Sequence, residues 1–305
     1  MSQLASTTQS TTEQVRSRSR DIRPDVRARR GRRSKPLRAA SLSKALFVVV
    51  LLVFYLFPLL FLLNTALKSN DSFNANPVGL VTHPDFGNFA TAWQRGDFGS
   101  YVLNSVLYTA VAAVLGTFVS ILMAFPISRG YLRGSRWWQL GFVLLLFLPN
   151  AIITQFQLLL RLGLYDTRLG YILIMGAGIG VGPILLSGYF KSVPKELDEA
   201  AAVDGVTYWR YLFTFVIPLA RPAIVTVFIL QAIGVWNDII LATILLPDSS
   251  KSPLTLGLVA FQGTYTRQWG LLAAATMIVA APLVAAYVFL QRYLVSGALG
   301  GAVKG

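Results

Sequence analysis

Few residues in this 305-residue chain are equipped for covalent chemistry. It has no cysteine, which removes disulfides, thiolate metal sites and cysteine nucleophiles. The single histidine, His83, lies between Thr82 and Pro84 in a polar stretch and reads as a loop residue. A Ser-His-Asp triad would have to use it, and a His/Cys metal cluster is unavailable. No G-x-x-x-x-G-K-[ST] phosphate loop occurs, so ATP hydrolysis by this chain is not expected. No catalytic residue, metal or cofactor is assigned, and the chain does not read as an enzyme. The informative polar residues fall in two groups. One is Lys191 to Pro222, where Glu196, Asp198, Glu199 and Asp204 surround an alanine run. The other comprises Asn150, Gln231, Trp236, Asn237 and Asp238, set within otherwise apolar segments. Polar groups in hydrocarbon are expensive, so these five should face a translocation path or bond another helix.

The surrounding elements are apolar. Hydrophobic residues make up 54% of the chain and charged ones 13%, about half the usual soluble share. Six segments of about 20 residues match the hydrocarbon core: 46–67, 102–125, 137–162, 169–190, 222–245 and 270–294. Each is read as a helix, because lipid offers backbone groups no other partner. The fold class is therefore all-α, a polytopic membrane protein with six transmembrane helices. Pro149, Asn150, Gln155 and Gln157 interrupt the third segment, and the glycines from Gly176 to Gly182 weaken the fourth.

Charge gives the orientation. The net charge is +14, yet residues 1–44 hold twelve of the 27 Lys and Arg and only three acids. This segment reads as a disordered basic cytoplasmic tail, with residues 45–305 as the transmembrane domain. Its basic region is too long for a cleavable signal peptide, and its economical role is topogenic beside anionic membrane lipid. Charge alone does not make it a nucleic-acid arm, and no nucleic-acid partner is assigned. With the tail inside, 21 basic residues lie on the cytoplasmic side and six outside; without it the ratio is nine to six. Both termini are then cytoplasmic, the protein is multi-pass in the plasma membrane, and Lys191–Pro222 is cytoplasmic.

That stretch reads as a short helix, a glycine turn and a second helix. Pro194 suits a first helical turn, three acids favour the positive dipole end, and Ala200, Ala201 and Ala202 propagate the helix. Gly205 supplies a left-handed stop, and Thr207 is positioned to cap the next helix, which leads to Ile217-Pro218. Leu197, Ala200, Ala201 and Asp204 share one face. An alanine face suits close approach by a partner; the plainer alternative is a solvated connector.

The sequence Glu199-Ala200-Ala201-Ala202-Val203-Asp204-Gly205, followed after eleven residues by Ile217-Pro218-Leu219, resembles the EAA motif of ATP-binding-cassette importer permeases. The second half departs slightly, because the family pattern has its proline after a leucine. Asn76-Pro77, Asn88-Phe89, Trp93, Asn104-Ser105, Trp236-Asn237-Asp238 and the C-terminal Gln291-Arg292-Tyr293 with Gly301–Gly305 resemble the carbohydrate-uptake, maltose-permease-like branch. The resemblance covers about residues 45–305 and implies a sugar or oligosaccharide substrate. It also implies a second homologous permease subunit, separate ABC ATPase subunits that bind the ATP, and an external solute-binding protein. By the same resemblance, Glu196 to Gly205 forms a cytoplasmic coupling helix between spans four and five. Glu199 and Asp204 would bond the ATPase or stabilise the loop, Ala200 and Ala201 would pack closely beside Leu197, Gly205 would turn, and Pro218 would mark the motif's second half. Alternatives are an ABC permease for a polyamine or peptide, or a secondary transporter. The latter calls for paired intramembrane charges or an internal repeat, and only Asp238 answers.

Overall fold

The computed structural model describes residues 37–149, 151–178, 180–264 and 267–302, without the side chains of 37–43, 260 and 290–302. Among the described residues all regular structure is helical, with no strand. The helices are α1 Leu37–Ala66, α2 Asn70–Ala75, α3 Gly87–Arg95, α4 Phe98–Arg129, α5 Ser135–Leu145, α6 Ile152–Arg161, α7 Arg168–Met175 and α8 Val181–Ser192. They continue as α9 Glu196–Val203, α10 Tyr208–Tyr211, α11 Ile217–Leu219, α12 Arg221–Trp236, α13 Ile240–Leu245, α14 Leu254–Thr264 and α15 Trp269–Ala302. Two units divide the chain, 1–57 and 58–305. Most of the expected tail lies outside the described residues; its last part, from Leu37, is already helix.

Three stretches are long and apolar enough to cross a membrane: Lys44–Ala66, Phe98–Arg129 and Trp269–Phe289. A fourth arises if Tyr208–Leu219 and Arg221–Trp236, bent by 82°, count together. The expectation of single continuous helices for the third, fourth and fifth segments is corrected. The third is α5 and α6, parted at Pro149, which has no N–H to donate. The fourth is α7 and α8, parted at glycines, with Gly178 at φ 69° and Gly180 at φ 146°. The fifth is α12 and α13, parted after Asn237. Ahead of α12, Leu212–Val216 widens into a π-turn in which the Ile217 N–H reaches back to Leu212 O. Pro218 explains the widening, since its ring crowds the carbonyl four residues back.

Helix α4 is the spine. It packs along α8 and α12 and contributes to three separate apolar cores. Phe98 joins the first, with Trp236, Leu254 and Leu271. Tyr108 and Ala112 join the one around Tyr171 and Leu245. Ile121, Ala124 and Phe125 join the one around Phe190, Tyr211 and Leu212.

The break between α7 and α8 lies against the middle of α4, and its freed carbonyls are satisfied there. Gln231 Nε2 donates to Met175 O at 2.7 Å, and the Ser120 hydroxyl bridges Gly116 O and Gly178 O at 2.7 and 3.1 Å. A Cβ on Gly178 would meet Gly116 O at 2.7 Å and the Val119 Cβ at 2.9 Å. Gly178→Val should therefore cost about 2 kcal/mol or more, combining left-handed strain with overlap. Gly188→Ala, where a Cβ meets nothing within 4 Å, should be neutral or stabilising by up to about 1 kcal/mol. Thermal unfolding of the purified protein, followed by tryptophan fluorescence, checks both.

Candidate functional site

The EAA-like stretch folds as a short exposed helix, α9, with a complete glycine stop. Asp198 and Glu199 N–H groups bond Lys195 O at 2.9 and 3.1 Å, so the helix starts at Glu196. Pro194 therefore precedes the helix rather than occupying its first turn, and Val193 is extended. At the other end Gly205 N–H bonds Ala202 O at 3.1 Å and Val206 N–H bonds Ala201 O at 2.9 Å. That paired pattern of bonds requires the left-handed φ of 69° at Gly205. Thr207 precedes α10 as expected, but its side chain makes no capping bond.

No residue of α9 is buried. Asp198 and Ala201 turn inward, and Ala201 packs with Val206 against the Phe125–Phe190–Tyr211 core. Glu196, Leu197, Glu199, Ala200, Val203, Asp204 and Gly205 are exposed, Val203 at 88%. The expected face of Leu197, Ala200, Ala201 and Asp204 is thus divided: Ala201 belongs to the inner side, and the outward face centres on Glu196, Glu199, Ala200 and Val203. Pro218 is exposed behind the π-turn.

The inner side rests on a residue that sequence reasoning counts only as an inside charge. Arg129 ends α4, and its side chain is 2% exposed. Its Nε lies 2.9 Å from Asp198 Oδ2, and its Nη1 donates to Val193 O at 2.9 Å. The guanidinium stands 6.0 Å from the Phe125 ring centroid. Tyr211 donates its hydroxyl to Asp198 Oδ1, and Tyr131, Phe190 and Tyr208 pack around Phe125. An exposed pair would contribute little, about 0–1 kcal/mol, whereas removing one partner of a buried pair costs about 3–5 kcal/mol.

The opposite end of α4 carries a second polar cluster. Lys251 Nζ lies 3.0 Å from Asp166 Oδ2 and 3.1 Å from Asp248 Oδ2, and donates to Asp166 O at 2.8 Å. Tyr108 donates to Lys251 O at 2.6 Å, and Asn104 Nδ2 donates to Ser250 O and Ser252 O. Arg168 reaches Asn104 Oδ1 at 3.2 Å. This clasp fixes residues 248–252 to α4 and to the turn before α7.

The residues expected to line a path are mostly engaged within the protein. Gln231 closes the α7 end, as above. Asp238 accepts from Tyr171 Oη at 3.0 Å, Leu241 N at 3.3 Å and Ala242 N at 2.8 Å, which caps α13. Asn237 bonds Ile233 O on its own helix and is exposed. Trp236 is buried and forms part of the wall of an apolar groove of about 660 Å³, lined also by Leu59, Thr109, Ala232, Pro282 and Tyr287. Asn150 lies outside the described residues.

An exposed, glycine-stopped helix of alanines and acids thus sits on a bundle of apolar and broken helices. Comparison with known proteins gives the family. Residues 98–299 match the family described as "Binding-protein-dependent transport system inner membrane component", and the chain belongs to that family. It is 34% identical over 269 residues to the "Probable ABC transporter permease protein YurM" of Bacillus subtilis, covering 85% of this chain and 87% of the relative. It is 31% identical to the "Diacetylchitobiose uptake system permease protein NgcG" of Streptomyces coelicolor, covering 89% and 91%. Its fold matches a chain in the "Crystal structure of a bacterial ABC transporter involved in the import of the acidic polysaccharide alginate". That match has a TM-score of 0.74 at 24% identity, covering 85% of this chain and 98% of the other. The protein is accordingly a multi-pass plasma-membrane permease component.

The clasp has a defined pH window. Hydrogen bonds from the Ser250 side chain and backbone, then Lys251, hold the Asp248 pKa down to about 2. Hydrogen bonds to Asp166 and Asp248 raise that of Lys251. A lowered carboxyl pKa stabilises fully above its ordinary value, about 4, and the effect is lost as pH falls towards 2; the raised lysine keeps its share until pH rises past its ordinary value, about 10. The melting-temperature difference between Asp248→Asn and the unsubstituted protein should be flat from about pH 5 to 9 and shrink below about pH 4. A difference that varies within the flat range contradicts this account.

Proposed function

We propose that this chain is the permease subunit of an importer for a sugar or oligosaccharide, and that separate ATPase subunits drive it through Glu196–Gly205. The observation that carries the reading is α9 itself, a helix without a buried residue that is nonetheless fixed from beneath by Arg129 and Tyr211. Its outward surface, with Ala200 and Val203 beside Glu196 and Glu199, suits a groove on another protein. The sugar class rests on the uptake system named for the Streptomyces relative. On this reading a second permease of the same family completes the pathway, an external binding protein delivers the solute, and six spans cross the membrane, several as broken pairs. Both termini and α9 face the cytoplasm. Residues 1–44 act as a basic topogenic segment ahead of the transmembrane domain, 45–305. Glu199 and Asp204 meet the ATPase or stabilise the loop, Gly205 holds the turn, and Asn150, Gln231, Trp236, Asn237 and Asp238 remain candidates for the path.

Deletion of the gene should abolish uptake of oligosaccharides from a panel that includes diacetylchitobiose, and leave polyamine and peptide uptake intact; the reverse pattern would overturn the sugar assignment. Ala200→Trp should leave membrane insertion and melting unchanged but reduce co-purified ATPase subunit at least about tenfold, or about 1.4 kcal/mol. Removing residues 1–33 should leave uptake within about twofold, because basic residues remain ahead of the first span. Loss of uptake with normal insertion would assign the tail a further role.

A further inference from the structure

The contacts of α9 with the body of the protein are few and unequal. Its chain connections are Val193–Lys195 on one side and the Gly205 turn on the other, and its apolar support is Ala201 with Val206. The glycine turn is closed by its own backbone hydrogen bonds, but it has no side chain to brace it against the body, and a Cβ there would meet nothing within 4 Å. The rigid link is polar. Arg129 joins three elements at once: its backbone ends α4, its Nη1 holds Val193 O at the entrance to α9, and its Nε pairs with Asp198 on α9. Tyr211 extends the link to the helix after the turn by donating to the other oxygen of Asp198. Burial of the guanidinium against Phe125 keeps water from competing for these bonds.

We propose that Arg129 is a positioning residue for transport. The Arg129–Asp198 pair makes α9 and α4 one mechanical body, so that displacement of α9 by a docked ATPase is delivered directly into α4. Helix α4 is a suitable receiver. At 32 residues it spans about 48 Å, contributes to all three cores, and touches the α7–α8 break at Gly116 and Ser120. A push at Asp198 therefore reaches the broken helix through contacts already made, without passing through the glycine turn. The inference rests on the docking reading of α9.

The test uses the whole transporter, with its ATPase subunits, in lipid nanodiscs. The chain has no native cysteine, so spin labels can be placed at Ala202→Cys on α9 and Phe118→Cys on α4. With Asp198 present, the distance between labels should agree within about 2 Å before and after trapping with ATP and vanadate. In Asp198→Asn, trapping should shift the mean by more than about 3 Å or double the width of the distribution, while ATPase co-purification persists. Asp198→Glu should restore at least half of the wild-type behaviour, which a general loss of folding would not. If Asp198→Asn fails to assemble, Arg129→Gln replaces it; it removes the charge that pairs with Asp198, and the same change is expected. Identical distributions in the variant and the unsubstituted complex, with ATPase bound in both, overturn the strut and leave the docking reading standing. Absence of bound ATPase from the unsubstituted complex overturns the docking reading, and the strut with it.

Discussion

A guanidinium withdrawn from water has to be answered by the protein around it; Arg129 has Asp198 2.9 Å from its Nε, Val193 O accepting from its Nη1 and the face of Phe125 beside it, while its Nη2 has no hydrogen-bond partner among the described residues. The position of the exposed helix follows from that requirement. Leaving the arginine unpaired would cost about 3–5 kcal/mol, a large share of the stability of an ordinary domain. The alternatives available to α9 are therefore few. Its alanines and acids make it a helix and Gly205 ends it, but its inward edge is chosen by Asp198. The outward edge follows at helical spacing, as Glu196, Glu199, Ala200 and Val203.

Polar contacts at three levels along α4 serve one purpose in different forms. At the Arg129 end an ion pair fixes the exposed helix α9. In the middle, Ser120 and Gln231 satisfy carbonyls that the glycine break would otherwise leave exposed to hydrocarbon. At the Phe98 end, Asn104 and Tyr108 hold the loop that Lys251 clasps. The broken helices are tolerated because their loose ends are met by α4 and α12.

The sequence is most legible where the signal is local. Alanines, first-turn acids and a glycine stop lie within ten residues, so α9 and its turn can be placed from the residues alone. The weak points of the third and fourth apolar segments are visible as Pro149 and the glycines after Met175, although hydropathy by itself carries the helices straight through them. Long-range pairing is hidden. Asp198 is 69 residues from Arg129, and nothing in either segment's periodicity names the other. The same holds for Lys251 and Asp166, and for Tyr171 and Asp238. Asp238 stands out because a carboxylate near hydrocarbon is costly, but that cost can be offset by a path or by a cap. That Leu241 N and Ala242 N bond it is visible only in the structure. A helical wheel likewise groups Ala201 with Leu197, Ala200 and Asp204, because a wheel cannot tell which edge the rest of the fold will cover.

Cross-linking across the docking helix tests the central claim most directly. Single cysteines at each position from 196 to 204, each carrying a short photo-reactive group, would be activated in membranes that contain the assembled transporter. The account predicts strong cross-links to the ATPase subunit from 196, 199, 200 and 203 and weak or absent ones from 198 and 201. Equal cross-linking at every position, strongest cross-linking from 198 and 201, or none at all would contradict it.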